Sequence, residues 1–172
     1  MALVAVVPEK LGERLGRLQR ALDPAGPEQL PPHIPLAGPF EVAPPFLPLE
    51  QHCWRSGHEN ARGWVELGPV VIEGGVAALP VTSGREQLAG LRAALLGGAY
   101  PLPEEDGPYE PRAVVGRSAV RDDFAVATFE EQTGGPNGRT FLLERFELMA
   151  RYPDGSWYQR DFYTLDRAVA RT

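Results

Sequence analysis

The chain has 172 residues, and its 43% hydrophobic content is enough to fill the core of one domain. A formal net charge of −6 excludes an overall basic field that would draw the protein to double-stranded DNA or to an anionic membrane. A single cysteine, Cys53, excludes an internal disulfide framework. No apolar run reaches the length of a membrane span, and the start "MALVAVVPEK" has no basic leader. We therefore expect a soluble, cytoplasmic protein without a membrane partner.

The first third of the chain predicts a strand and two helices. The run "ALVAVVP" is typical of a short buried strand that ends at Pro8. A helix follows, because leucines recur every three or four residues as one apolar stripe, and Asp23-Pro24 ends it. These leucines are Leu11, Leu15, Leu18 and Leu22. A proline-rich connection then leads to a short helix predicted at "LEQHCWRS".

The middle of the chain predicts a hairpin and another helix. Two strand-like runs in "WVELGPVVIEGGVAALPV" are separated by Gly74-Gly75, which is a hairpin signal. Ser83 and Glu86 have the spacing of a capping box in front of "REQLAGLRAALL", whose leucines have core spacing. Gly97-Gly98 ends this segment.

The last third again combines strands with a helix. "PRAVVGRS" indicates a strand, "RDDFAVATFEEQ" a helix, and "PDGS" the turn of a C-terminal hairpin. Because hairpins dominate, we expect an α+β fold of mostly antiparallel sheet with outer helices. No glycine-rich loop has the spacing of a nucleoside triphosphate or dinucleotide site, so we expect no cofactor of that kind.

Two segments of the chain share one pattern. "PHIPLAG" (32–38) and "PRAVVGR" (111–117) both have a proline, a polar residue and then an apolar strand with a glycine at its end, which predicts two strands facing each other across a cleft. His33 and Arg112 occupy the same place in this pattern. On these motifs the sequence resembles the two-histidine (2H) phosphoesterase superfamily, which includes 2′-5′ RNA ligase-like proteins and cyclic phosphodiesterases.

The resemblance implies one bilobal domain over residues 1–172, with two pseudo-symmetric lobes around a central groove. Each lobe of such a protein contributes a His-x-Thr/Ser motif, and the second is often preceded by a tyrosine, as in Tyr-x-Pro-His-x-Thr. The first motif corresponds here to "HIPL" from His33, and the second to "YEPRAVVGR". The segment "LAGLRAALL" and the ending "FELMARYPDGSWYQRDFYTL" also resemble the family's helix and terminal hairpin.

Three of the four motif positions depart from the family pattern. Arg112 replaces the second histidine, and Pro35 and Val114 replace the two hydroxyl residues. Arginine stays protonated and cannot exchange a proton, so ordinary cleavage of a 2′,3′-cyclic phosphate should be absent or very slow. His33 is then the one remaining catalytic candidate. His33 and Arg112 together are the predicted phosphate-binding pair, since the guanidinium of Arg112 can hold two oxygens at once.

Several functions fit this pattern. The first is a degenerate phosphoesterase that binds a phosphorylated small molecule or an RNA end without efficient turnover. The second is a scaffold or protein-interaction module that kept the fold, and the third an active cyclic phosphodiesterase with an altered mechanism. Each residue also has a more ordinary alternative. His33 would be a histidine at a strand end that bonds a backbone carbonyl, and Arg112 would form an ion pair at the surface.

Other candidate residues favour structural roles. His52, Cys53 and His58 lie close together in the sequence, but a structural zinc site needs a second pair of ligands that the chain does not offer. We therefore expect no metal. The tryptophans are predicted to pack in the core or between the lobes instead of stacking on bases. They are Trp54, Trp64 and Trp157.

Overall fold

The computed structural model describes residues 1–24, 30–103, 107–117, 120–134 and 138–166. Within these ranges the chain forms nine strands and four helices. The first elements are β1 (Ala2–Val6), α1 (Glu9–Leu22), β2 (His33–Ala37), α2 (Leu47–Glu59), β3 (Gly63–Leu67) and β4 (Val71–Glu73). The remaining ones are β5 (Val76–Ser83), α3 (Arg85–Leu96), β6 (Arg112–Gly116), α4 (Asp123–Thr133), β7 (Thr140–Leu143), β8 (Arg145–Arg151) and β9 (Trp157–Thr164).

The strands form one curled antiparallel sheet in the order β7-β3-β5-β6-β2-β1-β8-β9, with β4 beside β5. The order is pseudo-symmetric about its centre, because β5-α3-β6 on one side repeats the unit β1-α1-β2 on the other. We call the half with β1, β2, β8 and β9 the first lobe, and the half with β3 to β7 the second lobe. The fold is therefore α+β with two lobes of antiparallel sheet, as the sequence predicts.

One face of the sheet packs against the helices. The leucine stripe of α1 is buried, and Leu88, Leu91 and Leu95 of α3 are fully buried. They meet alternate residues of the central strands, such as Leu3, Ile34 and Val115, in one hydrophobic cluster. Burial of each leucine contributes about 1.5–3 kcal/mol relative to an exposed position. The two predicted leucine stripes are confirmed.

The opposite face, which we call the groove face, differs between the lobes. In the first lobe a second apolar cluster of Ala2, Val4 and Met149 is covered by Leu30 and Trp157, with Val6 beside them. In the second lobe the corresponding face carries the small or short side chains of β5, and residues of this face line two cavities. The groove face therefore carries an apolar cluster in the first lobe and open cavities in the second.

Helix α3 begins differently from its predicted start. Ser83 is the last residue of β5 and is paired with Glu66, so its side chain does not cap the helix. The N-cap is Gly84, in the left-handed region at φ +86°, and a Cβ there would lie 2.6 Å from the carbonyl oxygen of Trp64. The capping-box prediction is wrong because strand pairing extends β5 through Ser83 and leaves the turn to glycine.

Two of the three tryptophans do not pack in the core. Trp54 lies on the outer side of α2 and is 62% exposed, and Trp64 is 65% exposed between the buried residues Gly63 and Val65 of β3. Only Trp157 packs against an apolar cluster. The packing prediction for Trp54 and Trp64 is wrong, because each lies on the solvent side of an amphipathic element. In the described part of the chain, no helix is both long enough and apolar enough to span a bilayer.

Candidate functional site

The two motif strands lie side by side at the centre of the sheet. His33 of β2 is paired with Val114 of the antiparallel neighbour β6. Paired residues, and residues two apart in one strand, direct their side chains to the same face. His33, Pro35, Arg112 and Val114 therefore all lie on the groove face. The prediction of two strands facing each other across a cleft is corrected: the strands are adjacent in one sheet, and the site is a patch on its surface.

His33 is buried as a neutral imidazole. Its side chain is 4% exposed, and Nδ1 lies 2.7 Å from the carbonyl oxygen of Pro31. Because a carbonyl can only accept, Nδ1 carries the proton and Nε2 carries the lone pair. Burial is the main cause that lowers the pKa of His33 to about 4, although the bond to Pro31 opposes the shift and nearby Arg117 adds to it. At pH 7 the ring is therefore uncharged and a weak base.

Arg112 lies at the open side of the groove. It is exposed and lines a cavity of about 320 Å³ together with Pro35 and Val114, the residues that replace the motif hydroxyls. Among the described residues it has no ion-pair partner, so the predicted alternative of a surface ion pair is not observed there. His33 does not line this cavity. The structure thus places His33 and Arg112 on one face, and Arg112 lines this cavity.

Two residues of the second lobe line the cavity and bond the backbone of β2. Arg92 of α3 is 7% exposed, and its Nη1 donates to the carbonyl oxygen of Leu36 at 2.6 Å. The Arg92 guanidinium also lies 4.8 Å from the centre of the Tyr109 ring, and the Tyr109 hydroxyl donates to the carbonyl oxygen of Pro35 at 2.9 Å. Both side chains therefore bind backbone oxygens of the first motif while they line the cavity beside the second.

Arg117 is a third arginine at this cavity. Its backbone N–H donates to the Asp23 carboxylate at 3.1 Å, which ties the end of β6 to the end of α1. Its side chain is exposed and lines the cavity. The cavity therefore has three arginines, from α3 and from both ends of the second motif, and a single carboxylate residue, Glu110, among its described lining residues.

The sequence interpretation missed Arg92 and Arg117. Arg117 is the last residue of the quoted "YEPRAVVGR" motif, where only the position of Arg112 received a role. For Arg92 a signal existed, since an arginine four residues after Leu88 lies on the buried stripe of α3. A charged residue on such a stripe must have polar partners.

The open groove continues from this cavity over the second lobe. A second cavity of about 260 Å³ is lined by Ala78 and Pro80 of β5 and by Arg85 at the start of α3. It shares Arg112 and Glu110 with the first cavity. A ligand held at Arg112 therefore has room to extend across β5.

The histidines and cysteine of α2 do not gather into a metal site. The ring of His52 bonds the Leu95 carbonyl at 2.7 Å, and His58 is paired with Asp166 at 2.5 Å. Burial raises the pKa of the Cys53 thiol to about 12, which keeps it unreactive. The described residues contain no group of three or more histidine, cysteine, aspartate or glutamate side chains able to hold a metal ion.

Comparisons with known proteins agree with the two-lobed architecture. The model of the 2′-5′ RNA ligase superfamily matches residues 7–155. The structure is similar to TT0787 of Thermus thermophilus, at 18% identity, a TM-score of 0.66 and 98% coverage of both chains. It is also similar to E. coli LigT complexed with 3′-AMP, at 15% identity, a TM-score of 0.68 and coverage of 96% of this chain and 97% of LigT. No curated protein matches the sequence significantly.

Proposed function

The chain belongs to the 2′-5′ RNA ligase superfamily, and we propose that it binds a phosphorylated ligand, a nucleotide or an RNA end, with little or no turnover. The observation that carries this proposal is the cavity at the second motif, which Arg92, Arg112 and Arg117 all line. His33 and Arg112 remain the central pair of the proposed site, within one bilobal unit over residues 1–172.

The chemistry of the cavity supports phosphate binding. Guanidinium groups present parallel N–H donors that match two phosphate oxygens at once, and charge-assisted bonds of this kind are about twice as strong as neutral ones. Arg112 and Arg117 have no carboxylate partner in the described ranges that would compete with an anion. Structures of E. coli LigT complexed with 3′-AMP, phosphate and ATP provide related examples of phosphorylated ligands on this fold.

The same residues argue against efficient catalysis. Cleavage of a cyclic phosphate needs one group to remove a proton and another to donate one, and each role contributes roughly 10²- to 10⁴-fold in rate. Arg112 cannot exchange a proton, and His33 with a pKa of about 4 is a weak base at pH 7. Pro35 and Val114 supply no hydroxyl to stabilise developing charge.

A scaffold function is the second candidate, and two observations favour it. The groove face of the first lobe carries a buried apolar cluster around Val4 and Met149. On the outer side of α2, Leu47 and Trp54 are 57% and 62% exposed, as expected of a surface that binds another protein. This candidate predicts that phosphorylated ligands do not bind at Arg112.

Substitution of Arg112 tests the proposed function. Arg112→Ala should weaken the binding of 3′-AMP by about 1.5–3 kcal/mol, the usual contribution of a hydrogen bond to a charged group. Its free energy of unfolding should stay almost unchanged because Arg112 is exposed. Arg62→Ala is the matched control: it removes the same charge from a half-exposed side chain that pairs with Glu144 and does not line the cavity. Isothermal titration calorimetry and urea unfolding measure the two quantities.

Two outcomes would contradict the proposal. If neither 3′-AMP nor inorganic phosphate binds the wild-type protein, or if Arg112→Ala leaves their affinities unchanged, the scaffold function is favoured. If the wild-type protein hydrolyses 2′,3′-cyclic nucleotides at the roughly 1 to 10³ per second usual for enzymes, the altered site is catalytically competent and the protein is an active cyclic phosphodiesterase with an altered mechanism.

A further inference from the structure

The charge of the cavity indicates which phosphate the site prefers. Building on the proposed function, we infer that the site selects a phosphomonoester dianion, that is, a terminal phosphate on a nucleotide or RNA end, over a cyclic phosphodiester. The two ligands differ by one negative charge and by one terminal oxygen. Both differences favour the monoester at a site made of guanidinium groups.

The charge balance comes first. The described residues that line the cavity include three arginines and one glutamate, a net charge of +2. A phosphomonoester carries a charge close to −2 at neutral pH and compensates this charge, whereas a cyclic phosphodiester carries −1 and leaves one positive charge unbalanced. Since the imidazole of His33 is neutral, it adds no further positive charge near the site.

The number of hydrogen-bond donors in the cavity also favours the phosphomonoester. A terminal phosphate offers three strong acceptor oxygens, while a cyclic diester has two that are not part of the ring. Each arginine carries five N–H donors, and Arg92 uses one of its terminal nitrogens on the Leu36 carbonyl oxygen. The remaining donors of Arg92, together with Arg112 and Arg117, can satisfy three oxygens. No hydroxyl at positions 35 and 114 competes for them.

The fixed position of Arg92 makes the selection specific. Its guanidinium is held by the Leu36 carbonyl oxygen and by the face of the Tyr109 ring, so little side-chain freedom is lost when an anion binds. Arg112 and Arg117 lie on β6, a central strand of the sheet, and directly after it. All three guanidinium groups therefore border the same cavity.

A pH titration of two matched ligands tests this inference. The second pKa of a phosphomonoester is about 6, so the dianion rises from about a tenth of 3′-AMP at pH 5 to nearly all of it at pH 8. Over the same range 2′,3′-cyclic AMP keeps a single charge. The affinity of 3′-AMP divided by that of 2′,3′-cyclic AMP should therefore rise about tenfold from pH 5 to pH 8.

The ratio of the two affinities separates the ionisation of the ligand from the ionisation of the protein. Among the described residues, the charged or titratable groups that line the cavity are Arg92 of α3, Tyr109 and Glu110 before β6, Arg112 of β6 and Arg117 after it. His33 lies next to them on the groove face, and the Asp23 carboxylate accepts from the backbone N–H of Arg117. Ionisation of any of them changes both affinities, and the quotient removes that shared part. Arg117→Ala should reduce the preference for 3′-AMP at pH 8, while Arg62→Ala should preserve it.

The outcomes distinguish the inference from the proposed function. If both nucleotides bind through Arg112 with a ratio that does not change with pH, or if the cyclic ester binds more tightly, this inference is overturned and the proposed function stands. If neither nucleotide binds, both are overturned. A tenfold rise in the ratio that Arg117→Ala weakens and Arg62→Ala does not would support the inference.

Discussion

Burial determines the protonation state of His33. The ring is 4% exposed and loses most of the hydration that stabilises an imidazolium, and the positive charge of Arg117 opposes protonation further. One bond, to the Pro31 carbonyl oxygen, remains and fixes which nitrogen carries the proton. The residue with the strongest catalytic signal in the sequence is thus held in the form that is least useful as an acid.

The stability of the protein should report this protonation state. The pKa of His33 is about 4 in the folded protein and 6.5 in the unfolded chain. As pH falls from 6.5 to 4, the unfolded chain takes up a proton that the folded protein does not, so the free energy of unfolding decreases by up to about 1.4 kcal/mol per pH unit. Above pH 6.5 this contribution is fully present and constant.

His33→Asn isolates this contribution, because the asparagine amide retains a donor near the position of Nδ1 for the Pro31 carbonyl oxygen. Urea unfolding at several pH values should show that wild type loses more stability than the variant between pH 6.5 and 4. The carboxylates titrate in both proteins and cancel in the difference. Parallel curves for the two proteins would mean that His33 titrates normally and is not buried as described.

The sequence indicated some site residues and not others for a physical reason. His33 and Arg112 stand out because a repeated local pattern places them at matching strand starts. Arg92 acts through a bond to Leu36, and the motif tyrosine Tyr109 has its contact at Pro35, both residues more than 50 positions away in the chain. Such contacts depend on how α3 and the segment before β6 pack against β2, which no local spacing reveals.

At the scale of elements, the hairpins were more predictable than the helix start. Gly74-Gly75 connects β4 to β5 as expected, and Glu73 is paired with Val76 across that turn. The "PDGS" turn likewise joins β8 to β9. The turn of a hairpin is determined by adjacent residues, whereas Ser83 fits both the end of a strand and the start of a helix. Because Ser83 pairs with β3, it belongs to the strand.

The pairing of β2 with β6 makes restoration of the family site a meaningful test. The combined variant Arg112→His, Val114→Thr and Pro35→Thr places an acid/base group and two hydroxyls on the same face as His33. Its activity on 2′,3′-cyclic nucleotides should exceed that of wild type by roughly 10²-fold or more, because each acid/base role contributes about 10²- to 10⁴-fold. Steady-state hydrolysis measures the gain.

The control for this variant adds His33→Asn to the three substitutions and should return the rate to background. A combined variant that folds, by circular dichroism and thermal unfolding, but remains as inactive as wild type would show that identity at these four positions is not what limits catalysis. The burial of His33, which lowers its pKa to about 4, would then be the stronger obstacle.

At the scale of the whole molecule, the pseudo-symmetric sheet supports an asymmetric site. The strand order is balanced about the β2–β6 pair, yet the groove face of the first lobe carries the apolar cluster with Met149 and Trp157, while that of the second lobe has cavities beside Arg112. The two lobes were predictable from the repeated pattern. The difference between their groove faces was not, because it depends on which distant side chains cover β1.

The charge distribution of the whole molecule predicts weak and localised nucleic-acid binding. The net charge is −6, so we expect attraction to phosphates to come mainly from the three arginines of the cavity. For a short single-stranded RNA with a 3′-phosphate, log affinity should fall with log salt at a slope no steeper than about −1.4, since the arginines meet one terminal phosphate with two charges and each neutralised charge contributes about −0.7 for single strands. Arg117→Ala should make the slope shallower. Fluorescence anisotropy over a salt series measures both, with a DNA duplex of equal length as the control that should not bind. A steeper slope, or binding of the duplex, would locate nucleic-acid recognition outside this cavity.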